Sequence, residues 1–441
     1  MRVAFRFALG YALLSFTYSI YYTVSRPLYG VDVYGRSFVL FIAGAEYIPA
    51  VFSFLIGSLS DSIGRRRVML FSIMGAAPLA LIFLQREPLP LLLSISLYSF
   101  FNGLASMIGL SSVLESREDV ERNYSVIGLA SSLGWAGGSS IAWLLYKGLG
   151  EKLFVALLVL AYLFGLYGLY SGYAGKEREA MGSVLGGLKT VYSSLRWFLP
   201  ALLLAYVGVS LGWNLNAVIL DAKLRGFVEW CLKGSVRDSR LLYGLFYGGL
   251  TSIMAIPARV IAGRLVDRRK ERALFAFSIT AYIAIFTLLP FMPPLLFIFT
   301  WLVPIYPFYD TSIYALSARS TGSHESTISG YISTVTSIAG LSVIIINTLA
   351  YGGGILTYVA LTALFLSASL ALFMLSSGGK NPDLLLALRA RLSVVNARRP
   401  SMRTLRSNLF RRVFTHQFFL TRRGRCSFCI PYSSGISSSF P

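Results

Sequence analysis

A single carboxylate, Glu46, lies in the middle of a long apolar segment at residues 38–59. It shares one helical face with the small residues Ala43, Ala50 and Ser53, and no Lys or Arg lies within two helical turns of it. Because burial away from water penalises the charged form, an isolated carboxylate in this position tends to hold its proton. Two interpretations stay open: Glu46 gains and releases a proton as the protein works, or it remains protonated and makes one hydrogen bond between helices.

A second pair of charges lies in two other apolar segments. Asp310 and Arg259 each lie about 10 Å from the end of a segment, on the same predicted side of the membrane. A charge inside a membrane helix is costly, so it usually marks a pathway or has a partner. The sequence therefore predicts that Asp310 and Arg259 form an ion pair, which is either structural or broken during function.

The elements that must position these charges are membrane-spanning helices. The chain of 441 residues is 55% hydrophobic and only 13% charged, whereas soluble domains have about 25% charged residues. A helix needs about 20 mostly apolar residues to cross a bilayer. Apolar segments of this length predict twelve crossings, at 7–25, 38–59, 68–84, 90–113, 124–146, 153–173, 198–220, 241–262, 273–291, 295–317, 327–349 and 355–376.

The net charge of +21 has a topological interpretation. Lys and Arg are concentrated in the loops on one side, which predicts a multi-pass protein with both termini in the cytoplasm. Residues 377–441 form a basic tail, which we expect to be mostly disordered and to have no essential function; binding to the inner membrane surface is the alternative. Nucleic-acid binding is not expected, and three Cys and two His predict no metal site.

Two similar stretches divide the chain. Gly57-x-x-x-Asp61 follows the second crossing, and Gly263-x-x-x-Asp267 follows the eighth. The repeat predicts two pseudo-symmetric six-helix bundles at residues 1–174 and 198–376, joined by a cytoplasmic linker at 175–197. Doubled six-helix chains are typical of secondary transporters.

The stretch GSLSDSIGRRR at residues 57–67 resembles the signature loop of the major facilitator superfamily, G-x-x-x-D-R/K-x-G-R/K-R/K. Ser62 replaces the usual basic residue, and in the second copy Lys270 replaces a glycine. The resemblance covers residues 1 to about 376 and implies the fold of that family, an all-α integral membrane protein with twelve transmembrane helices in two bundles. The motif positions that match are Gly57, Asp61, Gly64, Arg65 and Arg66, and in the second copy Gly263, Asp267 and Arg268.

The resemblance implies that this loop is a cytoplasmic latch, which holds the two bundles together in one state. Gly57 allows close helix packing, Gly64 allows a tight turn, and Asp61 can accept from free N–H groups at a helix N-terminus. The Arg cluster can pair with Asp61 or with acids of the next cytoplasmic loop. The alternative is that the Arg residues only set the orientation of the chain in the membrane and that the loop forms no latch. The acids of the next cytoplasmic loop are Glu115, Glu118 and Asp119.

The resemblance also implies that crossings one, four, seven and ten line a central cavity near the bilayer midplane. Each of these crossings has a polar or aromatic face. Such faces suit a neutral or amphipathic solute, such as a sugar or a nucleoside-like molecule, or an aromatic acid if a cation lies nearby. The candidate cavity residues are Tyr18, Tyr22, Tyr98, Asn102, Trp213, Asn214, Tyr306 and Tyr314.

These observations predict a secondary transporter of a small organic solute that works by alternating access and is coupled to protons. We expect a monomer in the plasma membrane with no cofactor, and no enzyme, because no catalytic arrangement is recognisable. A membrane sensor on the same fold is the alternative. A drug/proton antiporter is disfavoured, because Ser99 and Ser139 occupy positions where such antiporters carry Arg and Pro. Substrate, coupling ion and direction of exchange stay open at this stage.

Overall fold

The computed structural model describes residues 5–34, 38–114, 120–173, 184–231, 239–268, 270–320, 324–350 and 354–378. Helices account for nearly all of these residues, and no β-strand occurs among them. The predicted all-α fold class is confirmed. The proposed partners Glu115, Glu118 and Asp119, and the predicted tail from residue 379, lie outside the described residues.

In the described part of the first bundle, eight α-helices form six crossings. The second crossing is divided at Val51 and Phe52, just after Pro49, and the third contains a 3-10 turn at Ser72–Gly75. A proline inside a helix removes one backbone hydrogen bond, which explains the division of the second crossing. The helices are α1 (Phe5–Pro27), α2 (Phe38–Ala50), α3 (Ser53–Ile63), α4 (Arg65–Phe71), α5 (Ala76–Leu84), α6 (Pro88–Leu114), α7 (Val120–Leu149) and α8 (Glu151–Gly172).

The second bundle has the same number of crossings. The eighth crossing contains a π-helical turn at Leu245–Gly249, and the tenth is divided between α14 and α15, near Pro304. The helices are α10 (Leu199–Cys231), α11 (Ser239–Gly244), α12 (Leu250–Asp267), α13 (Glu271–Leu288), α14 (Pro294–Trp301), α15 (Tyr306–Ser320), α16 (Glu325–Leu349) and α17 (Ile355–Gly378).

Nine of the helical segments within the described ranges are long and apolar enough to cross a membrane. The other three predicted crossings correspond to α1, to α7 and to the pair α14 and α15. The helices α14 and α15 are each short, with 8 and 15 residues, and reach a crossing length only together. Both α1 and α7 carry many Gly, Ser and Tyr residues.

Equivalent helices pack in the same way in both bundles. In the first bundle α1 packs on α7 and α2 packs on α6; in the second, α10 packs on α16 and α12 packs on α15. The bundles meet along two seams. One seam places α16 against α2 and α3, and the other places α7 against α12.

A further helix, α9 (Val184–Leu195), lies within the predicted linker. Its backbone accepts hydrogen bonds from both bundles: Ser58 Oγ donates to the Val184 carbonyl at 2.7 Å, and the Tyr331 hydroxyl donates to the Leu188 carbonyl at 3.3 Å. Helix α9 therefore lies at the same end of the molecule as Asp61. We call this end the latch end.

Candidate functional site

A cavity of about 230 Å³ lies between the two bundles, near the middle of the helices that surround it. Helix α7 of the first bundle forms one wall, and the eighth crossing, α10 and α15 of the second bundle form the others. Hydroxyl groups, large aromatic rings and one cationic side chain line the cavity. The lining residues are Ser131, Ser132, Trp135, Trp213, Tyr247, Thr251, Ser252, Arg259 and Tyr306.

Three of the residues selected from the sequence, Trp213, Tyr306 and Arg259, line this cavity. Two others lie directly behind its wall. The ring of Tyr18 lies 5.8 Å from that of Trp135, and the ring of Tyr22 lies parallel to that of Tyr247, at 6.2 Å.

The remaining cavity candidates are not part of the lining. Tyr98 is fully buried behind Tyr18, and Asn102 is half-buried in the same helix α6. Tyr314 packs against Tyr124 with ring centres 4.9 Å apart. Asn214 is exposed and is not among the lining residues.

Arg259 connects the two bundles beside the cavity. Its Nε donates to Ser132 Oγ of α7 at 3.1 Å, and it also hydrogen-bonds Tyr124 of α7. Its guanidinium carbon lies 5.3 Å from the centre of the Tyr306 ring. Gly128 allows this contact, because a Cβ at that position would overlap with the guanidinium. A cation is therefore fixed in the cavity wall, with only 8% of its residue surface exposed.

Asp310 lies on α15, close enough to Arg259 for their opposite charges to interact. Its side chain is half-buried and does not line the cavity. The predicted ion pair between Arg259 and Asp310 stays a prediction, since the hydrogen-bond partners described for Arg259 are Ser132 and Tyr124.

Glu46 is not isolated, and that expectation from the sequence is wrong. An Arg26 nitrogen lies 2.6 Å from Glu46 Oε2, and the Tyr21 hydroxyl donates to Glu46 Oε1 at 2.7 Å. Glu46 lies on α2, whereas Arg26 and Tyr21 lie on α1. A search along one helix cannot find such a partner, because the pair depends on how two helices pack.

Arg26 and Tyr22 connect this ion pair to the second bundle. The guanidinium carbon of Arg26 lies 3.3 Å from the centre of the Tyr22 ring, a cation–π contact. The hydroxyl of Tyr22 hydrogen-bonds that of Tyr247 at 3.3 Å. Tyr22 lies near the C-terminal end of α1, so this contact joins the bundles toward the end opposite the latch end.

Asp61 joins the bundles at the latch end. Its Oδ2 accepts from the backbone N–H of Thr327 at 3.0 Å and from the Thr327 hydroxyl at 2.9 Å. Both groups belong to the first turn of α16, where the helix dipole favours a negative charge. Arg65 donates to Asp61 Oδ1 at 2.7 Å and to Glu325 Oε2 at 2.9 Å, so it binds one acid of each bundle.

The glycines of the motif meet local backbone requirements. A Cβ at Gly57 would overlap with the carbonyl oxygen of Ser326 in α16, and a Cβ at Gly330 would overlap with that of Ser53 in α3. Gly64 has φ +100°, a conformation that favours glycine, and it separates α3 from α4. Arg66 donates to the Tyr173 carbonyl at 2.8 Å, within the first bundle.

The second copy of the motif has different neighbours. Gly263 is buried in α12 and Arg268 is exposed, while the side chain of Asp267 lies outside the described part of the chain. Close to this turn, Arg319 pairs with Glu271 at 2.5 Å and donates to the Val266 carbonyl at 3.1 Å.

Apart from Arg259, sequence reasoning missed the lining residues of crossings five and eight, because only crossings one, four, seven and ten were expected to form the cavity. The signal was present in α7, where the run SLGWAGG mixes small, polar and aromatic residues. The missed residues are Ser131, Ser132, Trp135, Tyr247, Thr251 and Ser252.

Comparison with known proteins agrees with this architecture. Residues 3–344 match the family model described as Major Facilitator Superfamily. A search of curated protein sequences gives no significant match. The human organic anion transporter MFSD10 (TETRAN) is similar in structure, with a TM-score of 0.57, 17% identity, and coverage of 85% of this chain and 97% of that one. A bacterial homologue of the iron transporter ferroportin, in an outward-facing state, has a TM-score of 0.64, 14% identity, and coverage of 86% and 100%.

Proposed function

Because this chain belongs to the major facilitator superfamily, we propose that it is a secondary transporter that moves a small organic solute by alternating access. The observation that carries this proposal is the cavity between the bundles, whose lining comes from both of them. A solute bound there contacts both bundles, so a rocking motion between the bundles would expose it to alternate sides.

We assign the seam between α3 and α16 to the closing of one end. Asp61, Arg65, Glu325 and Thr327 form hydrogen bonds that must break before the bundles separate at the latch end. The excess of Lys and Arg in the loops on that side places the latch end in the cytoplasm in our proposal. The proposed transporter is a monomer of the plasma membrane.

We assign proton coupling to Glu46 together with Arg26. When Glu46 is charged, it holds Arg26 at 2.6 Å, and Arg26 lies against Tyr22, which hydrogen-bonds Tyr247 of the other bundle. Protonation of Glu46 would weaken its hold on Arg26 and so loosen the contact between Tyr22 and Tyr247. The proton would thereby act on the end opposite the latch end.

Uptake into proteoliposomes with an imposed pH gradient tests the proposal. We expect one class among sugars, amino acids and organic acids to accumulate in vesicles that contain the protein, and not in empty vesicles. Glu46→Gln should abolish accumulation driven by the gradient but keep exchange of solute across the membrane. The matched control is Glu151→Gln, which changes an exposed carboxylate paired with Arg86 and should leave uptake unchanged.

Two results would contradict the assignments separately. Full gradient-driven accumulation by the Glu46→Gln variant would exclude Glu46 as the coupling group but leave the transporter in place. Absence of uptake for every solute class, combined with a cavity that no reagent reaches from either side, would refute transport itself and favour a membrane sensor.

A further inference from the structure

We propose that the substrate is a small organic anion with a flat, aromatic or otherwise apolar body, and that Arg259 binds its negative group. This inference rests on the proposed transport function and assigns a substrate class to the same cavity. It depends on three features of the wall: one fixed cation, aromatic side chains from both bundles, and hydroxyl groups.

Arg259 is positioned to bind an anion. Its guanidinium is held by Ser132 and Tyr124 of the opposite bundle, and it lies over the ring of Tyr306. Because the Nε bond to Ser132 fixes the plane of the guanidinium, little conformational freedom is lost when an anion binds. Arginine presents donors in a rigid fork that matches the two oxygens of a carboxylate.

The other lining residues select the body of the substrate. Trp135 of the first bundle and Trp213, Tyr247 and Tyr306 of the second offer flat apolar surfaces. Ser131, Thr251 and Ser252 add hydroxyl groups that can bind a polar substituent. A metal ion or an amine would be repelled by Arg259 and would find no carboxylate among the lining residues.

The volume of the cavity suits a small molecule. Drug-sized ligands occupy pockets of about 300–1,000 Å³, whereas this cavity has a volume of about 230 Å³. A single aromatic ring or a bicyclic ring with one acidic group is the size class that fits.

We expect Asp310, whose charge lies near that of Arg259, to act as the counter-charge of the empty site. Its charge interacts with that of Arg259, but its side chain lies outside the lining. The negative group of a substrate would therefore compete with Asp310 for the same guanidinium. Binding of an anion would weaken the interaction between α12 and α15, which lies within the second bundle.

Matched pairs of probes with and without a charge test this inference. We would measure the thermal stability of the purified full chain with 4-hydroxybenzoate against 4-hydroxybenzamide, and with indole-3-acetate against indole-3-acetamide, at neutral pH. A ligand that binds the folded state raises the melting temperature. We expect at least one carboxylate to raise the melting temperature. The corresponding amide should bind at least tenfold more weakly, as judged by its apparent Kd.

Variants assign the effect to Arg259. Arg259→Gln should abolish the response to the carboxylate, and Arg259→Lys should keep part of it, since it retains the charge but not the fork. Ser132→Ala should weaken binding of the carboxylate, and it keeps the inference testable if changes of Arg259 prevent folding. The matched control is Arg86→Gln, which removes an exposed cation paired with Glu151 and should leave the response unchanged.

The inference and the transport function fail in different ways. Three results would each overturn the inference and leave transport intact. They are equal binding of acid and amide, an unchanged response in Arg259→Gln, and no response to either acid while a neutral solute is taken up by proteoliposomes. Failure of uptake for all solutes would overturn both.

Discussion

Asp61 and Thr327 are 266 residues apart in the chain, yet two hydrogen bonds join them across the seam between the bundles. The acceptor is a carboxylate, and one of the donors is the backbone N–H of Thr327, in the first turn of α16. A signature residue of the first bundle therefore caps a helix of the second and joins the two bundles at the latch end.

Asp61→Asn should shift the protein toward the state that is open at the latch end. Hydrogen bonds to charged groups contribute about 1.5–3 kcal/mol, so the population of the latch-closed state should fall by about tenfold or more relative to the open state. The reporter is a single cysteine in the cavity, introduced as Ser252→Cys into a variant without native cysteines. The measurement is the reactivity of this cysteine toward a membrane-impermeant reagent added at the latch side.

The matched control for Asp61 is Ser62→Ala. The Ser62 hydroxyl donates only to carbonyls of its own helix, those of Ser58 and Leu59, among the bonds described for it. Its removal should leave the reactivity of the reporter unchanged. Equal reactivity in Asp61→Asn and in the unsubstituted protein would remove Asp61 from the latch.

Gly57→Ala should open the latch end by steric means. The added methyl group would overlap with the Ser326 carbonyl, which belongs to the backbone and cannot rotate away. Overpacking of this kind usually destabilises by about 1–3 kcal/mol. Gly103→Ala is the control, because the space around Gly103 is open. The same cysteine reporter measures both variants, and an unreactive reporter in Gly57→Ala would contradict the close packing of α3 and α16.

Tyr22→Phe and Tyr247→Phe should each favour opening at the other end. Each removes one hydroxyl of the bond between the bundles. A hydrogen bond of this kind contributes about 0.5–1.5 kcal/mol, so reactivity of the cavity cysteine from that side should rise by roughly two- to tenfold. The double variant should show no further increase, because the second hydroxyl has already lost its partner. Additive effects would show that the two hydroxyls act separately.

Arg259→Gln and Asp310→Asn should each destabilise the protein more than their combination does. Removal of one partner leaves the other charge uncompensated, which costs about 3–5 kcal/mol in a fully buried pair and less here, because Asp310 is half-buried. Melting temperatures of the single and double variants in detergent measure the interaction. The pair Arg319 and Glu271, at 2.5 Å, provides a reference cycle. If the two effects simply add, Arg259 and Asp310 are not paired.

Local backbone requirements were readable from the sequence. The resemblance to the major facilitator superfamily is confirmed, and so is the predicted fold class. Gly64 illustrates why: its φ of +100° is a property of one residue in one turn, and the sequence records it as a glycine at a fixed distance from Asp61.

Contacts between residues that lie far apart in the chain could not be predicted from the sequence. The prediction for Asp61 specified a helix N-terminus but could not identify α16, because a motif contains no information about which helix packs against it. Glu46 was judged from its own helix alone, and Arg26 on α1 was therefore overlooked. Trp213 and Tyr306 were found through the family resemblance, whereas Ser132 and Thr251 lie on crossings that were not considered.

The π-helical turn at Leu245–Gly249 decides which direction Tyr247 faces. In an uninterrupted α-helix, the twelve positions from Tyr247 to Arg259 leave an angular offset of about 120°, which would put the two side chains on different faces. The π-helical turn accommodates one extra residue, and this reduces the angular offset between the two side chains to about 20°. If the same number of residues wound as a regular α-helix, the tyrosine would turn out of phase with the arginine, although every side chain named in the cavity wall would still be encoded.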